Sequence, residues 1–320
     1  MHRAQECRNT DNCQLIDKMV HSVNETTNQT ICFIQPDVAN GILIALYFTA
    51  MIGGTIGIII MVFLLSRTNT RSMTITAIIN LLVIHGIFIL TIPFRIAYYI
   101  QKEWIFQFTF CKIISSMIHI HMYLSFIFYV ALLSIRYISY FKQKDKIEFY
   151  RKMHSVVASA ALWIIISLVV MPVFFFQYGA GDEKYESTQC FFFHKEIKRP
   201  SVIILNYITI AVIFLVVCIL LIVQIFIIVK IVKKLKRTAL DHQEFWVQLK
   251  SLFFILVMVI CLFPYHMFRI YYIEHINECF YYNEIFLGIT ALSCLDLLSF
   301  AVQTYFQKVF QHMTCLSKCL

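Results

Sequence analysis

The sequence predicts an all-α membrane protein, a seven-transmembrane helix bundle followed by a short amphipathic C-terminal helix. Hydrophobic residues make up 60% of the 320-residue chain and charged residues only 14%, whereas soluble proteins average about 25% charged residues. The apolar residues are also gathered into long blocks, and each block can form the helix of about 20 residues that crosses a hydrocarbon core. A soluble fold is therefore excluded.

The apolar blocks predict seven helices, and because nothing in the sequence resembles a linker between two soluble domains, we expect one domain. Their approximate bounds are 38–66, 73–100, 108–140, 154–176, 200–235, 243–273 and 281–306. This division leaves an N-terminal segment at 1–37, a bundle at 38–306 and a tail at 307–320.

The tail begins beside a segment, 305–310, whose apolar residues recur at helical spacing. Such a segment predicts a short amphipathic helix lying on the membrane surface. Acylation of Cys315 or Cys319 would anchor it.

Charge asymmetry predicts that the N-terminus is extracellular, because cytoplasmic loops of membrane proteins are enriched in lysine and arginine. With that orientation, the cytoplasmic segments contain fifteen basic residues and four acidic ones. The net charge of +9 is then a sign of membrane topology and does not indicate a nucleic-acid partner. The basic third cytoplasmic loop, after 229–236, is open to two compatible interpretations: contact with anionic lipid headgroups, or docking of a partner protein.

The N-terminal segment contains two sequons, which begin at Asn24 and Asn28. Because the segment is expected outside the cell, both asparagines are candidate glycosylation sites. The first 36 residues contain no apolar stretch that could serve as the core of a signal peptide.

The nine cysteines that precede the tail fall into two classes by position. Three lie inside predicted helices and are expected to behave as small apolar residues, namely Cys218, Cys261 and Cys294. Six fall at extracellular positions, where disulfides persist: Cys7, Cys13, Cys32, Cys111, Cys190 and Cys279.

Motifs spread across the chain resemble those of the class A (rhodopsin-like) G-protein-coupled receptors. The segment 104–106 and Cys111 resemble the family's first extracellular loop and the start of its third helix, and Arg136-Tyr137 follows Cys111 at the family's spacing. Trp163 and Pro172 fit the fourth helix. Motifs in this order support one another more strongly than any single match would.

The last two helices also carry the resemblance. The segment 261–266 is similar to the kinked sixth helix of the receptor branch that includes nucleotide receptors, and Cys294-Leu295-Asp296 is similar to its seventh helix. In detail, the segments 118–124 and 242–246 most resemble the orphan G-protein coupled receptor 141 group.

The resemblance implies a plasma-membrane receptor that transmits an extracellular ligand, a small molecule or a lipid, to a heterotrimeric G protein. It implies no enzymatic activity and no cofactor. It also implies a disulfide between Cys111 and Cys190, and we further predict one between Cys32 and Cys279.

Several positions depart from the family pattern. His85 replaces the helix-two aspartate that binds sodium, Ile135 replaces the acidic residue before Arg136, and Leu262 replaces an aromatic switch residue. Leu297 and Phe300 replace the proline and tyrosine of the seventh helix. The alternative function is therefore a weakly coupled receptor that acts as a membrane scaffold.

Family geometry would place His85, Ser125 and Asp296 in a polar core. An intramembrane carboxylate needs a partner, and His85 is the candidate partner for Asp296. The other possibility is a neutral His85 that donates to Ser125 or to a backbone carbonyl.

Arg136 and Tyr137 are expected to lie where the G protein docks. Family spacing places Glu244 at the cytoplasmic end of helix six, where a contact with Arg136 would keep the G-protein cavity closed. The alternative is that both side chains are solvated, so that the pair contributes about 0–1 kcal/mol.

A ligand pocket is predicted around Arg95, His119, His266 and Arg269 in the outer half of the bundle. Arginine binds carboxylate or phosphate through a planar set of donors, so an anionic ligand is favoured. The alternatives are an Arg269 pair with Glu274 or Glu284, and an Arg95 that reaches outward to the membrane surface.

Other membrane-protein functions find no support in the sequence. No lysine lies between Asn283 and Phe306, so the seventh helix cannot form the Schiff base of a retinal protein. His119 and His121 are two residues apart and point to different helix faces, so no metal site is predicted. Matching broken helices, which many transporters have, are not seen.

Overall fold

A computed structural model describes Cys32 and residues 34–67, 73–141, 148–165, 190–191, 197–235, 242–276, 278–299 and 302. The glycosylation candidates Asn24 and Asn28, the acylation candidates Cys315 and Cys319, and the predicted tail helix lie outside these residues.

The described residues form seven helical segments. The first five are α1 (Pro36–Ser66), α2 (Met73–Gln101), α3 (Phe108–Phe141), α4 (Glu148–Ile165) and α5 (Pro200–Leu235). Helix α6 consists of Gln243–Val257 and Phe263–Glu274, joined by a π-helical turn at Met258–Leu262. Helix α7 runs from Phe280 to Ala291 and continues through a 3₁₀ turn at Leu292–Leu295 into helical residues 296–299.

Five of these helices are long and apolar enough to cross a membrane. They comprise Pro36–Ser66, Thr74–Gln101, Phe108–Phe141, Pro200–Lys234 and Glu244–Glu274, and a shorter apolar helix covers Val156–Ile165. The predicted all-helical membrane fold is thus confirmed. The predicted fourth helix is described only as far as Ile165, so its second half is not tested.

The π-helical turn explains the predicted kink of α6. Proline has no backbone N–H and its ring clashes with the preceding turn, so Pro264 cannot continue a regular α-helix. The chain accommodates Pro264 by placing it in the first turn of the next helical segment, directly after the π-helical turn. Tyr265 and Arg269, in the segment after the π-helical turn, are both buried.

Glycines let α1 approach α7 closely. A Cβ atom added at Gly57 would come within 2.8 Å of the Leu298 backbone nitrogen, and one at Gly54 within 3.1 Å of the Cys294 Cβ. Because the backbone of Leu298 cannot move aside easily, Gly57 accepts only glycine at the present helix separation, whereas the atoms close to Gly54 belong to side chains. This close approach sets how deeply α7 enters the bundle.

Hydrogen bonds between side chains join other helix pairs. Asn80 on α2 accepts hydrogen bonds from the Ser159 hydroxyl (2.8 Å) and the Trp163 indole (2.9 Å) on α4. Gln224 on α5 donates to the backbone carbonyl of Gln248 on α6 at 2.8 Å. In an apolar environment such bonds satisfy groups that would otherwise be costly to bury.

Both predicted disulfides are present. Cys111 at the start of α3 is bonded to Cys190, and Cys32 before α1 is bonded to Cys279 before α7. Both bonds lie at one end of the bundle, which we call the disulfide end. The other end, where α3 reaches Arg136 and Tyr137, is called the opposite end.

Candidate functional site

A small cavity lies between the helices at the disulfide end. Its lining includes Arg95, His119, Phe191, Arg269, Asn283 and Glu284. The volume is about 20 Å³, room for about one water molecule and far below the roughly 300–1,000 Å³ of a typical small-molecule site. The residues that line the cavity therefore largely fill it.

Arg95 is fully buried, which excludes the alternative in which it reaches outward. Its guanidinium donates to the backbone carbonyls of Ile114 (3.0 Å) and Ser115 (3.3 Å) and to the Tyr47 hydroxyl (3.3 Å). Its nearest carboxylate oxygen belongs to Glu284, 4.0 Å away. Neutral acceptors thus hold the guanidinium at hydrogen-bond distance, whereas the carboxylate lies beyond that distance.

Glu284 was not predicted as a pocket residue. It lies on α7 and is 5% exposed, and its Oε2 accepts a hydrogen bond from the Tyr99 hydroxyl at 3.0 Å. From the sequence, Glu284 is expected only as an alternative partner of Arg269. The structure places it closer to Arg95.

Arg269 faces the cavity from α6. Its guanidinium donates to the side-chain carbonyls of Asn283 (3.1 Å) and Asn206 (3.4 Å), and it packs over the ring of Tyr272 at 5.2 Å. The cavity therefore has a guanidinium on two of its walls, one from α2 and one from α6.

The two predicted pocket histidines have separate environments. His119 lines the cavity; its Nδ1 lies 3.2 Å from the Ser115 carbonyl and its Nε2 3.4 Å from the Tyr265 hydroxyl. His266 is buried against Tyr123, with ring centroids 6.0 Å apart, and is not among the residues that line the cavity. Three of the four predicted residues thus converge, and His266 does not.

Phe191 closes the cavity beside the disulfide. Its backbone has φ = 73°, a region that non-glycine residues seldom adopt and that costs about 1–3 kcal/mol. The ring lies 4.5 Å from the Arg95 guanidinium carbon and stacks on Tyr99. The Cys111–Cys190 bond fixes the neighbouring residue, and so helps to hold Phe191 in this conformation.

A polar layer lies deeper in the bundle and contains the predicted contact between His85 and Asp296. The His85 Nε2 is 3.2 Å from the Asp296 Oδ1, and both side chains are fully buried. The Tyr129 hydroxyl donates to the other carboxylate oxygen of Asp296 at 2.8 Å. Ser125 is also buried, but the His85 ring nitrogens face Asp296 and His121.

Two residues of this layer were missed. The His121 Nε2 lies 2.8 Å from the His85 Nδ1. The Cys294 Sγ lies 3.4 Å from the His121 Nε2 and 3.7 Å from the His85 Nδ1. His121 and His119 contact different residues, as their spacing predicts. Cys294 was expected to be inert, since nothing along the chain shows that α7 turns this thiol toward two histidines.

At the opposite end, the predicted contact between Arg136 and Glu244 is wrong. Arg136 is 8% exposed and donates to the Ser251 hydroxyl at 2.9 Å and to the Val247 carbonyl at 3.4 Å. Glu244 is exposed and, within the described part of the chain, forms no ion pair with Arg136. Ser251 lies seven residues, about two helical turns, beyond Glu244 and further into the bundle. A guanidinium that binds there is shielded from solvent.

Tyr137, the neighbour of Arg136, contacts a different helix. Its hydroxyl donates to the Leu220 carbonyl on α5 at 3.1 Å. The two residues together link α3 to α5 and α6 through neutral acceptors. The acceptor for Arg136 was missed because serines are common on apolar helices and nothing local distinguishes Ser251.

Comparison with known proteins agrees with this architecture. Residues 55–302 match the model of the 7 transmembrane receptor (rhodopsin family). The human protein named "Probable G-protein coupled receptor 141" is 51% identical over 81% of this chain and 87% of its own length. The chimpanzee (Pan troglodytes) protein "Probable G-protein coupled receptor 34" is 23% identical over 92% and 81%, and a mouse (Mus musculus) protein named as a purinoceptor is 24% identical over 47% and 39%.

Proposed function

This chain belongs to the rhodopsin family of 7-transmembrane receptors, G-protein-coupled receptors of the plasma membrane, and we propose that its ligand is an anion that binds at the disulfide end. The observation that carries the proposal is the pair of buried guanidiniums, Arg95 and Arg269, on the walls of one cavity.

Charge favours an anion over other ligands. Arg95 and Arg269 carry two positive charges, and Glu284 balances one of them. The side chains that line the cavity therefore carry one net positive charge among aromatic rings. A phosphate, carboxylate or sulfate group would neutralise it and bind through charge-assisted hydrogen bonds.

The small volume of the cavity suggests how such a ligand enters. The Glu284 carboxylate already occupies the position beside Arg95 that an anion would take, but at 4.0 Å the two groups are not hydrogen-bonded. A ligand anion that replaces this carboxylate would separate Glu284 on α7 from Arg95 on α2. Ligand binding would thereby favour a different arrangement of α7, as a shift between two conformations requires.

The proposal also assigns the orientation of the chain in the membrane. The segment 1–37, with its candidate glycosylation sites, would be extracellular, the bundle would be 38–306, and the tail 307–320 would be cytoplasmic. Arg136 and Tyr137 would then lie at the end where a heterotrimeric G protein docks.

Binding measurements on purified receptor test the ligand class. The panel would contain nucleotides, lysophospholipids and organic acids, since one relative is named as a purinoceptor and all three classes present anionic groups. An active anion should bind at least about tenfold more weakly to Arg269→Gln, a loss of about 1.4 kcal/mol.

Arg199→Gln is the matched control, because Arg199 is an exposed arginine at the same end and does not line the cavity. If both variants bind the anion equally well, the cavity is not the ligand site.

A second candidate function is a scaffold with little ligand-driven signalling. The nearly filled cavity and the substitutions at Ile135, Leu262 and Leu297 favour it. Nucleotide exchange on a panel of G proteins separates the two functions. A receptor should stimulate exchange when its anion is added, whereas a scaffold should not.

A further inference from the structure

The polar layer has a composition that neither ligand binding nor G-protein coupling explains. Two histidines and a cysteine come from three different helices, His85 on α2, His121 on α3 and Cys294 in the 3₁₀ turn of α7, and all three are fully buried. One ligand atom from each lies within 4.8 Å of the others. We propose that these side chains form a binding site for a soft divalent metal ion of the zinc class.

The triangle of ligand atoms has nearly the right size. Zinc bonds of about 2.0–2.1 Å to nitrogen and 2.3 Å to sulfur imply, for a tetrahedron, edges of about 3.3 Å between nitrogens and about 3.6 Å between nitrogen and sulfur. The observed nitrogen–sulfur distances are 3.4 and 3.7 Å, and the nitrogen–nitrogen distance is 2.8 Å. A separation of the two rings by about half an ångström would admit the ion.

The groups around this triangle are those that support a metal ligand. A histidine that binds a metal usually donates its other N–H to a carboxylate, which fixes the ring orientation and makes the nitrogen more basic. Asp296 stands in that position, 3.2 Å from the His85 Nε2, and Tyr129 in turn donates to Asp296. The Nδ1 of His85 is therefore left with its lone pair directed at His121 and Cys294.

Charge balance favours a divalent ion. Binding releases the proton of the Cys294 thiol, so the thiolate and the Asp296 carboxylate contribute two negative charges and the neutral histidines none. A divalent cation makes the layer neutral, as a buried site in a membrane protein requires.

The donor atoms exclude the hard cations. Sodium, magnesium and calcium bind oxygen ligands, whereas imidazole and thiolate select zinc and related transition metals. Three protein ligands leave one position of a tetrahedron for water. The Ser125 hydroxyl, one helical turn from His121 on the same face of α3, is buried without a hydrogen-bond partner among the described residues, and it can accept a hydrogen bond from such a water.

Metal binding is measured on the full-length receptor, purified in detergent, stripped with a chelator and titrated with Zn²⁺. We expect one retained equivalent of zinc and a higher unfolding temperature. Both effects should be lost in Cys294→Ser and kept in Cys261→Ser, a second buried free cysteine that is not part of the triangle. In Asp296→Asn, zinc affinity should fall by about 10–100-fold, as for other outer-shell partners.

A measurement on the unmodified receptor covers the case in which a variant does not fold. Zn²⁺ should slow alkylation of the Cys294 thiol, read by peptide mass mapping, and leave the rate at Cys261 unchanged. Replacement of Zn²⁺ by Co²⁺ should produce the visible absorption of a tetrahedral thiolate complex. Failure to retain zinc, equal retention by Cys294→Ser, or equal protection of both thiols would each overturn the proposal.

Discussion

The two ends of the helix bundle are held together by different kinds of interaction. At the disulfide end, two covalent bonds and the buried charges of Arg95, Arg269 and Glu284 join the helices. At the opposite end, the buried guanidinium of Arg136 donates to a hydroxyl and a backbone carbonyl and lies over the Phe254 ring.

This difference affects how easily the helices can move apart at each end. A disulfide does not exchange during signalling, so the two bonds limit how far the helices of the disulfide end can separate, while the ionic contacts between these helices can still rearrange. A charged donor bonded to a neutral acceptor contributes only about 1.5–3 kcal/mol. The opposite end can therefore open at small cost, which suits a surface that must expose itself to a partner.

Removal of the α3 disulfide should have the largest effect. The double variant Cys111→Ser with Cys190→Ser should lower the free energy of unfolding by about 2–4 kcal/mol, because the unfolded chain regains the freedom that the bond removes. Thermal unfolding of purified receptor measures the loss. The Cys218→Ser variant changes a free cysteine on α5 and should leave stability nearly unchanged.

The bond itself is checked by mass mapping of unreduced peptides. Recovery of Cys111 as a free thiol would contradict the covalent difference between the two ends.

Glu284→Gln should have the second largest effect. The amide keeps the size of the side chain and can still accept the Tyr99 hydrogen bond, but Arg95 loses the negative charge that stands 4.0 Å away. Because Arg95 keeps three neutral acceptors, we expect the free energy of unfolding to fall by about 2 kcal/mol. This is less than the full cost of breaking a buried ion pair.

The same variant should bind an anionic ligand more tightly, since the competing carboxylate is gone. Thermal unfolding and ligand titration are both needed, and stability that falls without any gain in anion affinity would remove Glu284 from the proposed exchange. Glu278→Gln, at an exposed glutamate of the same end, is the control.

Ser251→Ala should act on the opposite end. It removes the closest acceptor of Arg136 but leaves the Val247 carbonyl, so the closed arrangement should lose about 1.5 kcal/mol of stabilisation. Basal G-protein activation should then rise by about tenfold. Glu244→Gln should leave basal activity unchanged, because Glu244 is exposed and is not paired with Arg136. Nucleotide exchange in reconstituted membranes measures the basal activity of both variants. If Glu244→Gln raised it more than Ser251→Ala, Glu244 would be the residue that restrains the inactive state.

Sodium should have the smallest effect, namely none. The Asp296 carboxylate faces His85 and accepts a hydrogen bond from Tyr129, and the imidazole nitrogens and the sulfur of the layer bind sodium poorly. Unfolding temperatures measured in sodium and in a bulky organic cation at equal ionic strength should coincide. A rise specific to sodium would mean that Asp296 is not satisfied by His85.

Family spacing predicted some of the contacts but also the Arg136–Glu244 contact, which is wrong, and contacts that depend on helix rotation were missed. The Cys111–Cys190 and Cys32–Cys279 bonds and the His85–Asp296 contact were predicted. Ser251, Glu284 and Cys294 were missed because a helical periodicity of 3.6 residues relates positions within one helix. It says nothing about how far one helix turns or slides against the next.

The sequence by itself determined the membrane environment, the positions of the apolar helices and the kind of residue at each depth, because burial of apolar blocks and the cost of buried charge act locally along the chain. Only the tertiary structure decided which polar side chains meet. Gly54 and Gly57 allow α7 to approach α1 closely, and this packing brings Cys294 to the two histidines and Glu284 to Arg95. A shift of α7 by one residue along its own sequence would turn its side chains by about 100° and replace every one of these partners.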